Sequence, residues 1–533
     1  MPTEPDAPSD ADLAACIRVL QAIEADRSLL ARLTREQRRE LLMAAGLVAK
    51  PERQDLVRMA KAMRRADREA GRQRDRELIE RTGLRVQRRN EVYEPLWLPP
   101  PTAEEAAVTG TAALHKSLCC YVCKQDYSTP HRYYDSMCPD CGDFNYAKRT
   151  QTADLRGHYA LVTGARVKIG YQAALKLLRA GAHVVVTTRF PVDAAGRYAQ
   201  EPDFQEFRER LQVFGLDLRH TPSVEAFARA LAARLPRLDY VLNNACQTVR
   251  RPAGFFRHLL EQEERAFADL PDDQQPLLAG HAELCRSLGD TTPGRIGTPA
   301  AGAGGVAGAG TAEGAGEPAA PLPAVRDRPA FEGLLHSAAL SQRRYLDEDF
   351  RDGEALFPAG RYDEDLQQLD LREVNSWRLR LHEVETAELL EVQLINAIAP
   401  YTLNARLRPL MMRTPGRHKH IVNVSAMEGQ FYRTTKTDRH PHTNMAKAAL
   451  NMMTRTSAPD YVRDGIHMNA VDTGWVTDED PAQHAARKAE LGFAPPLDII
   501  DGAARIVDPI FEGQRSGGHL WGQFLKDYRP APW

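Results

Sequence analysis

Four cysteines fall into two tight pairs, Cys120-Tyr-Val-Cys123 and Cys138-Pro-Asp-Cys141, with fourteen residues between them. Each CxxC turn presents two thiolates on one side of a knuckle, and two such turns complete a tetrahedron around Zn²⁺ with bonds of about 2.3 Å. Four thiolates leave no open position, so the expected role is structural. Lys124, Tyr127, Tyr133 and Tyr134 fit a small zinc ribbon, and iron is the alternative ion for these ligands. Cys16, Cys119, Cys246 and Cys285 are left over as spectator thiols.

A second chemistry-bearing segment is TGARVKIG, Thr163 to Gly170, which follows an apolar run and opens an amphipathic one. Gly164 would allow a sharp turn. Gly170 would let the helix pack closely and aim its N-terminus at a pyrophosphate. Lys168 and Ile169 lie inside this turn. Arg189 ends the next apolar run, where a carboxylate would bind a free ribose 2′-OH, and Arg166 lies in the turn itself. Two cations there favour a 2′-phosphate, and hence NADP(H) over NAD(H).

These residues need a scaffold. HYALVTG, HVVVTTR, FGLDLR and LDYVLNNA read as strands, and GYQAALKLLRAGA, QEFRERLQVFG and PSVEAFARALAARL as helices between them. Continuous apolar strands alternating with helices argue an α/β fold, a doubly wound parallel sheet of Rossmann type. The rhythm stops after Ala245 and resumes near 380 with a long helix and the strand HIVNVS. Residues 250–378 therefore read as an insertion at the C-terminal edge of the sheet, where ligands bind. Its flanks, GFFRHLLEQEERAFADL and HSAALSQRRYLDEDF, read as helical, and its Gly/Ala/Pro-rich stretch 291–324 as disordered.

Ahead of this unit, residues 1–105 read as charged helices. Thr34 and Gln37 form a capping box, and Gly46 is a stop. Residues 51–90 carry thirteen Arg/Lys against seven Asp/Glu. Such a helix could hold RNA or an acidic partner, or be a solvated face laced with ion pairs. A proline-rich break at 94–105 separates it from the ribbon at 113–150, and the Rossmann unit occupies 155–533. Formal net charge is −2, which gives no field drawing the whole protein to nucleic acid or a membrane. Apolar runs are too short to span a bilayer. Acidic residues stand where a signal peptide needs a basic start, so the expected location is cytoplasmic.

In sequence order, TGARVKIG, Asp217, Asn243-Asn244-Ala245, Asn396, Ser425, Lys447 and VDTGWV (471–476) together resemble the short-chain dehydrogenase/reductase family over about 155–533, less the insertion. The resemblance implies that Asp217 borders the adenine and that Asn244 and Ala245 shape the cofactor floor. It also implies that Lys447 grips the nicotinamide ribose and that the Gly474 turn faces the nicotinamide or substrate. Ser425 would orient a carbonyl or alcohol, and Asn396 would anchor a water relay. Two positions depart from the family pattern. Lys168 stands where a glycine is usual, and Thr443 where a tyrosine donates the proton. A threonine hydroxyl is a far poorer acid than a phenol of pKa about 10. Tyr432 is the favoured substitute donor, with His440 and His442 as further candidates. The implied function is an atypical NADP(H)-dependent oxidoreductase acting on a small molecule, as a homodimer or homotetramer through helices at 385–409 and 443–464. The alternative is a non-catalytic NADP(H)-binding scaffold that engages a protein or RNA partner through the ribbon and insertion.

Overall fold

The computed structural model describes residues 8–96, 113–265, 267–289, 331–351, 353–432 and 436–533. Residues 1–75 and 76–533 form two compact units. In the first, Ser9 and Asp12 close a capping box on α1 (Asp10–Ala25). Thr34 and Gln37 do the same for α2 (Arg35–Ala49), which runs through Gly46 instead of stopping there. A lone helical glycine costs only about 1 kcal/mol relative to alanine, which the flanking turns absorb. The charged stretch forms α3 (Arg53–Glu80), with exposed Arg58–Asp55 and Arg65–Glu69 pairs three and four residues apart.

The second unit opens with the short helix α4 (Gly83–Gln87) and a two-stranded hairpin, β1 (Leu118–Cys119) and β2 (Asp126–Tyr127). Next comes α5 (Pro139–Thr150), with Pro139 in its first turn. Leu84, Tyr133, Tyr134 and Met137 pack with Val476, Leu497 and Ile499, so the cysteine-bearing segment shares its core with the C-terminal part of the Rossmann unit.

That unit is an eight-stranded sheet. Its strands are β3 (Tyr159–Thr163), β4 (His183–Thr188), β5 (Leu211–Gly215), β6 (Tyr240–Asn243), β7 (Lys419–Ser425), β8 (Ile466–Asp472), β9 (Phe524–Lys526) and β10 (Arg529–Ala531), in the order β10-β9-β8-β7-β6-β3-β4-β5. All pairings are parallel except β9 with β10. Both faces are covered. Ala160 and Val162 of β3 enter one core and Leu161 the other, as a period of two requires. One face carries α6 (Lys168–Arg179) and α15 (Ile499–Ser516), the helix that follows α14 (Ala482–Glu490). The other carries α8 (Thr221–Arg234), α12 (Ala399–Met412) and α13 (Pro441–Tyr461). Strand order reverses between β3 and β6, the switch point where doubly wound sheets bind ligands.

Three expected elements differ. QEFRERLQVFG is a single helical turn (Phe204–Phe207), a 3₁₀ turn (Arg208–Arg210) and then strand β5. The helix before it is α7 (Pro191–Ala199), whose Pro191 stands at the first helical position, where a missing N–H costs nothing. β5 ends at Gly215, so Leu216–Arg219 of FGLDLR is loop. HSAALSQRRYLDEDF forms two short 3₁₀ turns, Ala339–Gln342 and Asp347–Phe350, in place of a helix. Within the insertion, α9 (Ala253–Glu263) is helical as expected. Helix α10 (Gln275–Ser287) packs on β5 and sends Leu277, Leu278 and Leu284 into the two cores. This part of the insertion is therefore integral to the sheet. Residues 291–324 and most of the proline-rich break lie outside the described residues. Among the described residues, no helix is long and apolar enough to cross a membrane.

Candidate active site

The turn after β3 is shaped by two glycines. Gly164 has φ +67°, and a Cβ there would sit 2.7 Å from Ala245 Cα; a Cβ on Gly170 would overlap the Asn244 amide and the Gly164 carbonyl. Asn244 Nδ2 donates to the Thr163 and Gly164 carbonyls, both at 3.1 Å, and Ala245 N–H donates to Thr163 Oγ1 at 3.1 Å. The turn after β6 thus clamps the turn after β3. No side chain caps α6 at Val167, which leaves its first-turn N–H groups free to receive an anion.

A cleft of about 500 Å³ opens over this turn. Gly164, Arg166, Lys168, Ile169, Gly170, Arg189, Asp217, Asn244 and Ala245 line it; Thr163, Lys447 and Gly474 do not. Its cations are mostly committed. Arg166 pairs with Asp193 at 2.7 Å, and Lys168 Nζ lies 3.5 Å from Asp365 of the insertion. Lys168 has φ +56°, the left-handed region that favours the family's glycine. Asp217 is buried and held by Arg219 at 2.6 Å, and Arg219 also reaches Glu391. Arg189 differs. Its guanidinium stacks over Phe256, 4.5 Å from the ring centroid, and among the described residues it makes no ion pair with a carboxylate. Burial, with Arg219 nearby, pushes its pKa down to about 10. It remains a cation at neutral pH, with Asp217 and Glu391 acting on it only from beyond ion-pair distance.

The other candidate residues cluster beyond the cleft. β7 delivers Ser425, and α13 presents His442, Thr443, Lys447 and Asn451 on its buried face. Lys447 Nζ donates to the Val424 carbonyl at 2.7 Å, which sets it beside Ser425. Ser425 Oγ donates to Asn451 Oδ1 at 2.6 Å. Asn451 was not foreseen, although its place four residues after Lys447 puts it on the same helix face. Thr443 Oγ1 is buried and has no hydrogen-bond partner. Asn396 lies in a π-helical turn (Leu394–Ile398) between α11 (Thr386–Gln393) and α12, and it exchanges both side-chain hydrogen bonds with the Gln247 backbone. Tyr432 is 50% exposed and bonds none of Ser425, Thr443 or Lys447. His440 stacks on Trp377, with centroids 3.9 Å apart. His442 is buried 3.6 Å from Glu388.

After β8, Gly474 has φ +76°, and a Cβ there would meet Leu497 and the Tyr121 hydroxyl. The Trp475 N–H donates to Tyr121 Oη at 3.0 Å. Tyr121 lies between Cys120 and Cys123, so the cysteine knuckle props the loop that follows β8. The same segment is anchored by Arg149, fully buried between Asp498 (2.6 Å) and Asp501 (3.0 Å). Tyr133 and Tyr134 donate to these two carboxylates. The four sulfurs of Cys120, Cys123, Cys138 and Cys141 lie within 4.8 Å of one another, with Cys123 and Cys138 at 3.8 Å. A tetrahedron with 2.3 Å bonds has edges of about 3.8 Å.

Sheet order, glycine turn and the Ser425–Lys447 pair decide the fold. The second unit has the short-chain dehydrogenase/reductase fold. Residues 158–269 match the short chain dehydrogenase family model, and residues 374–492 match the enoyl-(acyl carrier protein) reductase model. Among relatives, an uncharacterized protein of Acanthamoeba polyphaga mimivirus is 29% identical over 418 residues, 76% of this chain and 74% of its own length. The Bos taurus dehydrogenase/reductase SDR family member 13 is 41% identical over 105 residues, which is 19% of this chain and 27% of that one. The chain thus spans only about a quarter of the bovine protein. A short chain dehydrogenase from Burkholderia cenocepacia J2315, solved in complex with NADP, shows 15% identity over 70% of this chain and 96% of its own, with a TM-score of 0.39. The two matched segments flank residues 270–373, so they lie on either side of most of the insertion.

Proposed function

We propose that the protein is an NADP(H)-dependent oxidoreductase of the short-chain type, acting on a carbonyl or alcohol of a small molecule. The observation that carries this reading is Arg189, a cation in the cleft at the end of the second strand with no carboxylate partner. A 2′-phosphate there would accept its charge-assisted hydrogen bonds. The α6 N-terminus would hold the pyrophosphate over Gly164 and Gly170. Bound nicotinamide would supply or accept the hydride. Lys447 would turn from the Val424 carbonyl to the nicotinamide ribose, and Ser425 from Asn451 to the substrate oxygen. Thr443 marks this reading as atypical: Tyr432 would donate the proton by swinging in from its half-exposed position, or a water held on the Thr443 hydroxyl would do so. Cys120, Cys123, Cys138 and Cys141 fit a structural Zn²⁺ that would stiffen the knuckle under the Gly474 loop. Exposed Ile398, Tyr401, Met445 and Met452 on the helices at 394–412 and 441–461 suit a homodimer contact. The free thiols suit a cytoplasmic location.

Calorimetric titration with NADPH, NADP⁺, NADH and NAD⁺, on wild type and Arg189→Ala, tests the cofactor assignment. Selective NADP(H) binding that is lost with Arg189 supports it. Equal affinity for all four nucleotides overturns it. A second reading, a non-catalytic nucleotide-binding scaffold that engages a protein or RNA partner, is favoured by the unpartnered Thr443 hydroxyl. Nucleotide binding without turnover of any carbonyl or alcohol panel would support that one.

A further inference from the structure

At the opposite end of the sheet from the cleft, the N-terminal ends of β7 and β8 carry a group of imidazoles that the oxidoreductase reading does not use. His420 and His467 are direct cross-strand partners on the parallel pair β7–β8. His519, in the segment between α15 and β9, inserts beside them, and His418 precedes β7 at the surface. His519 Nδ1 lies 2.9 Å from His420 Nε2, and His519 Nε2 lies 2.8 Å from His418 Nδ1. Ligand nitrogens of His420, His467 and His519 all fall within 4.8 Å of one another. Among the described residues, none of the four makes an ion pair with a carboxylate. Along β7, Ser425 lies five positions beyond His420, roughly 16 Å away.

We propose that His420, His467 and His519 form a second metal site, for a divalent ion that favours imidazole, such as Zn²⁺. One hydrogen bond fixes a ring atom outright, and the proposed site sets the others. A carbonyl can only accept, so His467 Nδ1 must donate to the Lys419 carbonyl 3.1 Å away, which leaves His467 Nε2 with a free lone pair. His420 offers Nε2 towards His519, while its Nδ1 is buried with no partner. His519 offers Nδ1, and its Nε2–H then donates to His418. His418 is thus an orienting partner and not a ligand, as the outer partners of metal-bound histidines usually are. Three imidazoles whose ring nitrogens converge, none of them ion-paired with a carboxylate among the described residues, suit a divalent cation. The surroundings are built to fit. A Cβ on Gly513 of α15 would overlap His519 Nδ1 and approach His420 Nε2 to 3.1 Å. Burial grades from His420 and His467 inside, through half-buried His519, to exposed His418, which supplies an entry path. Tetrahedral Zn–N bonds need ligand nitrogens about 3.3 Å apart, so His519 must retreat by about 0.4 Å. It follows the Gly517–Gly518 pair, which makes that movement cheap.

The test uses the full chain, stripped of metal, reloaded with Zn²⁺ alone and measured for bound zinc and melting temperature. Wild type should hold one equivalent more than His519→Ala, and excess Zn²⁺ should raise its melting temperature more than that of the variant. His418→Ala should keep the site with roughly 10–100-fold weaker affinity, the usual effect of losing an orienting partner. Cys138→Ser should lose the other equivalent and leave this one. Equal zinc content in wild type and His519→Ala would overturn the proposal, as would a loss in His519→Ala that His519→Cys, which restores a ligand, fails to recover in a folded protein.

Discussion

At the phosphate end of the cleft, polar groups face open space and their charges are countered by side chains from elsewhere: Asp193 for Arg166, Asp365 for Lys168. At the hydride end, Ser425 and Lys447 are buried and bonded to their own elements, through Asn451 and the Val424 carbonyl. The first end resembles a binding site with one cation, Arg189, held ready. The second resembles a packed core in which one hydroxyl, that of Thr443, has nothing to bond. On the proposed reading, nucleotide recognition and proton transfer are thus separable, and substitutions at the two ends should have different signatures.

The largest effect should come from Gly170→Val. Its Cβ would meet both Asn244 and the Gly164 carbonyl, and overpacking of this kind costs about 1–3 kcal/mol. Nucleotide affinity measured by calorimetry should fall roughly 10- to 100-fold for all four nucleotides, while Cys-bound zinc is retained. An unchanged affinity would mean that the glycine turn does not hold the pyrophosphate.

Arg189→Ala should be next and selective. Losing a charge-assisted bond of about 1.5–3 kcal/mol weakens NADPH by roughly 10- to 100-fold and leaves NADH within about twofold. Lys447→Ala, at the other end, should weaken both nucleotides alike. If Lys447→Ala discriminated between the two nucleotides and Arg189→Ala did not, the two ends would have exchanged roles.

How much of this contrast could be read beforehand depends on how local the signal is. The glycine turn, the apolar strands β3, β4 and β6, and the CxxC pairs each lie within a few residues, and all are where their spacing placed them. The helix at 191–199 was not foreseen; Pro191 opens it as a first-turn residue. The partners of the cleft cations were beyond reach, since Asp365 is almost two hundred residues from Lys168 and no periodicity links them. The histidines at 418, 420, 467 and 519 likewise meet only because β7 and β8 are neighbours and α15 returns the chain to them.

A smaller effect tests the countering carboxylate. Burial pushes the Asp365 pKa up to about 6, with Lys168 pulling the other way. A carboxyl raised above its unfolded value binds its proton more tightly in the folded chain, so its contribution to stability is present at low pH and is lost as pH rises through about 6. Below that pH the Lys168 ammonium loses its nearest counter-charge, with Glu479 still acting on it, and can serve a phosphate. NADH avoids the titration of a 2′-phosphate. Its affinity should rise by about fivefold between pH 7 and pH 5, on the order of 1 kcal/mol for a partly buried pair. Asp365→Asn should show the higher affinity at both pH values. A pH dependence that persists in Asp365→Asn would assign the effect to another group.

Thr443→Val should have the smallest effect on nucleotide binding, and it separates the two readings of the hydride end. A buried hydroxyl without a partner costs about 1–3 kcal/mol of desolvation, and valine has nearly the same shape. If Thr443 is only a core residue, as in a scaffold, Thr443→Val should stabilise the chain by about 1 kcal/mol and raise the melting temperature by about 2 °C for a domain of this size, with nucleotide affinity unchanged. If the hydroxyl holds a water that carries the proton, the unpartnered atom is satisfied in solution. The substitution should then bring no stabilisation and should lower kcat on a turned-over substrate by 10²-fold or more. Tyr432→Phe distinguishes the remaining route, since it should lower kcat only if the half-exposed phenol swings in to donate. A stabilised Thr443→Val together with a fully active Tyr432→Phe would leave neither hydroxyl in the chemistry and would move the proton donor to His442, which lies beside Thr443 on the same buried helix face.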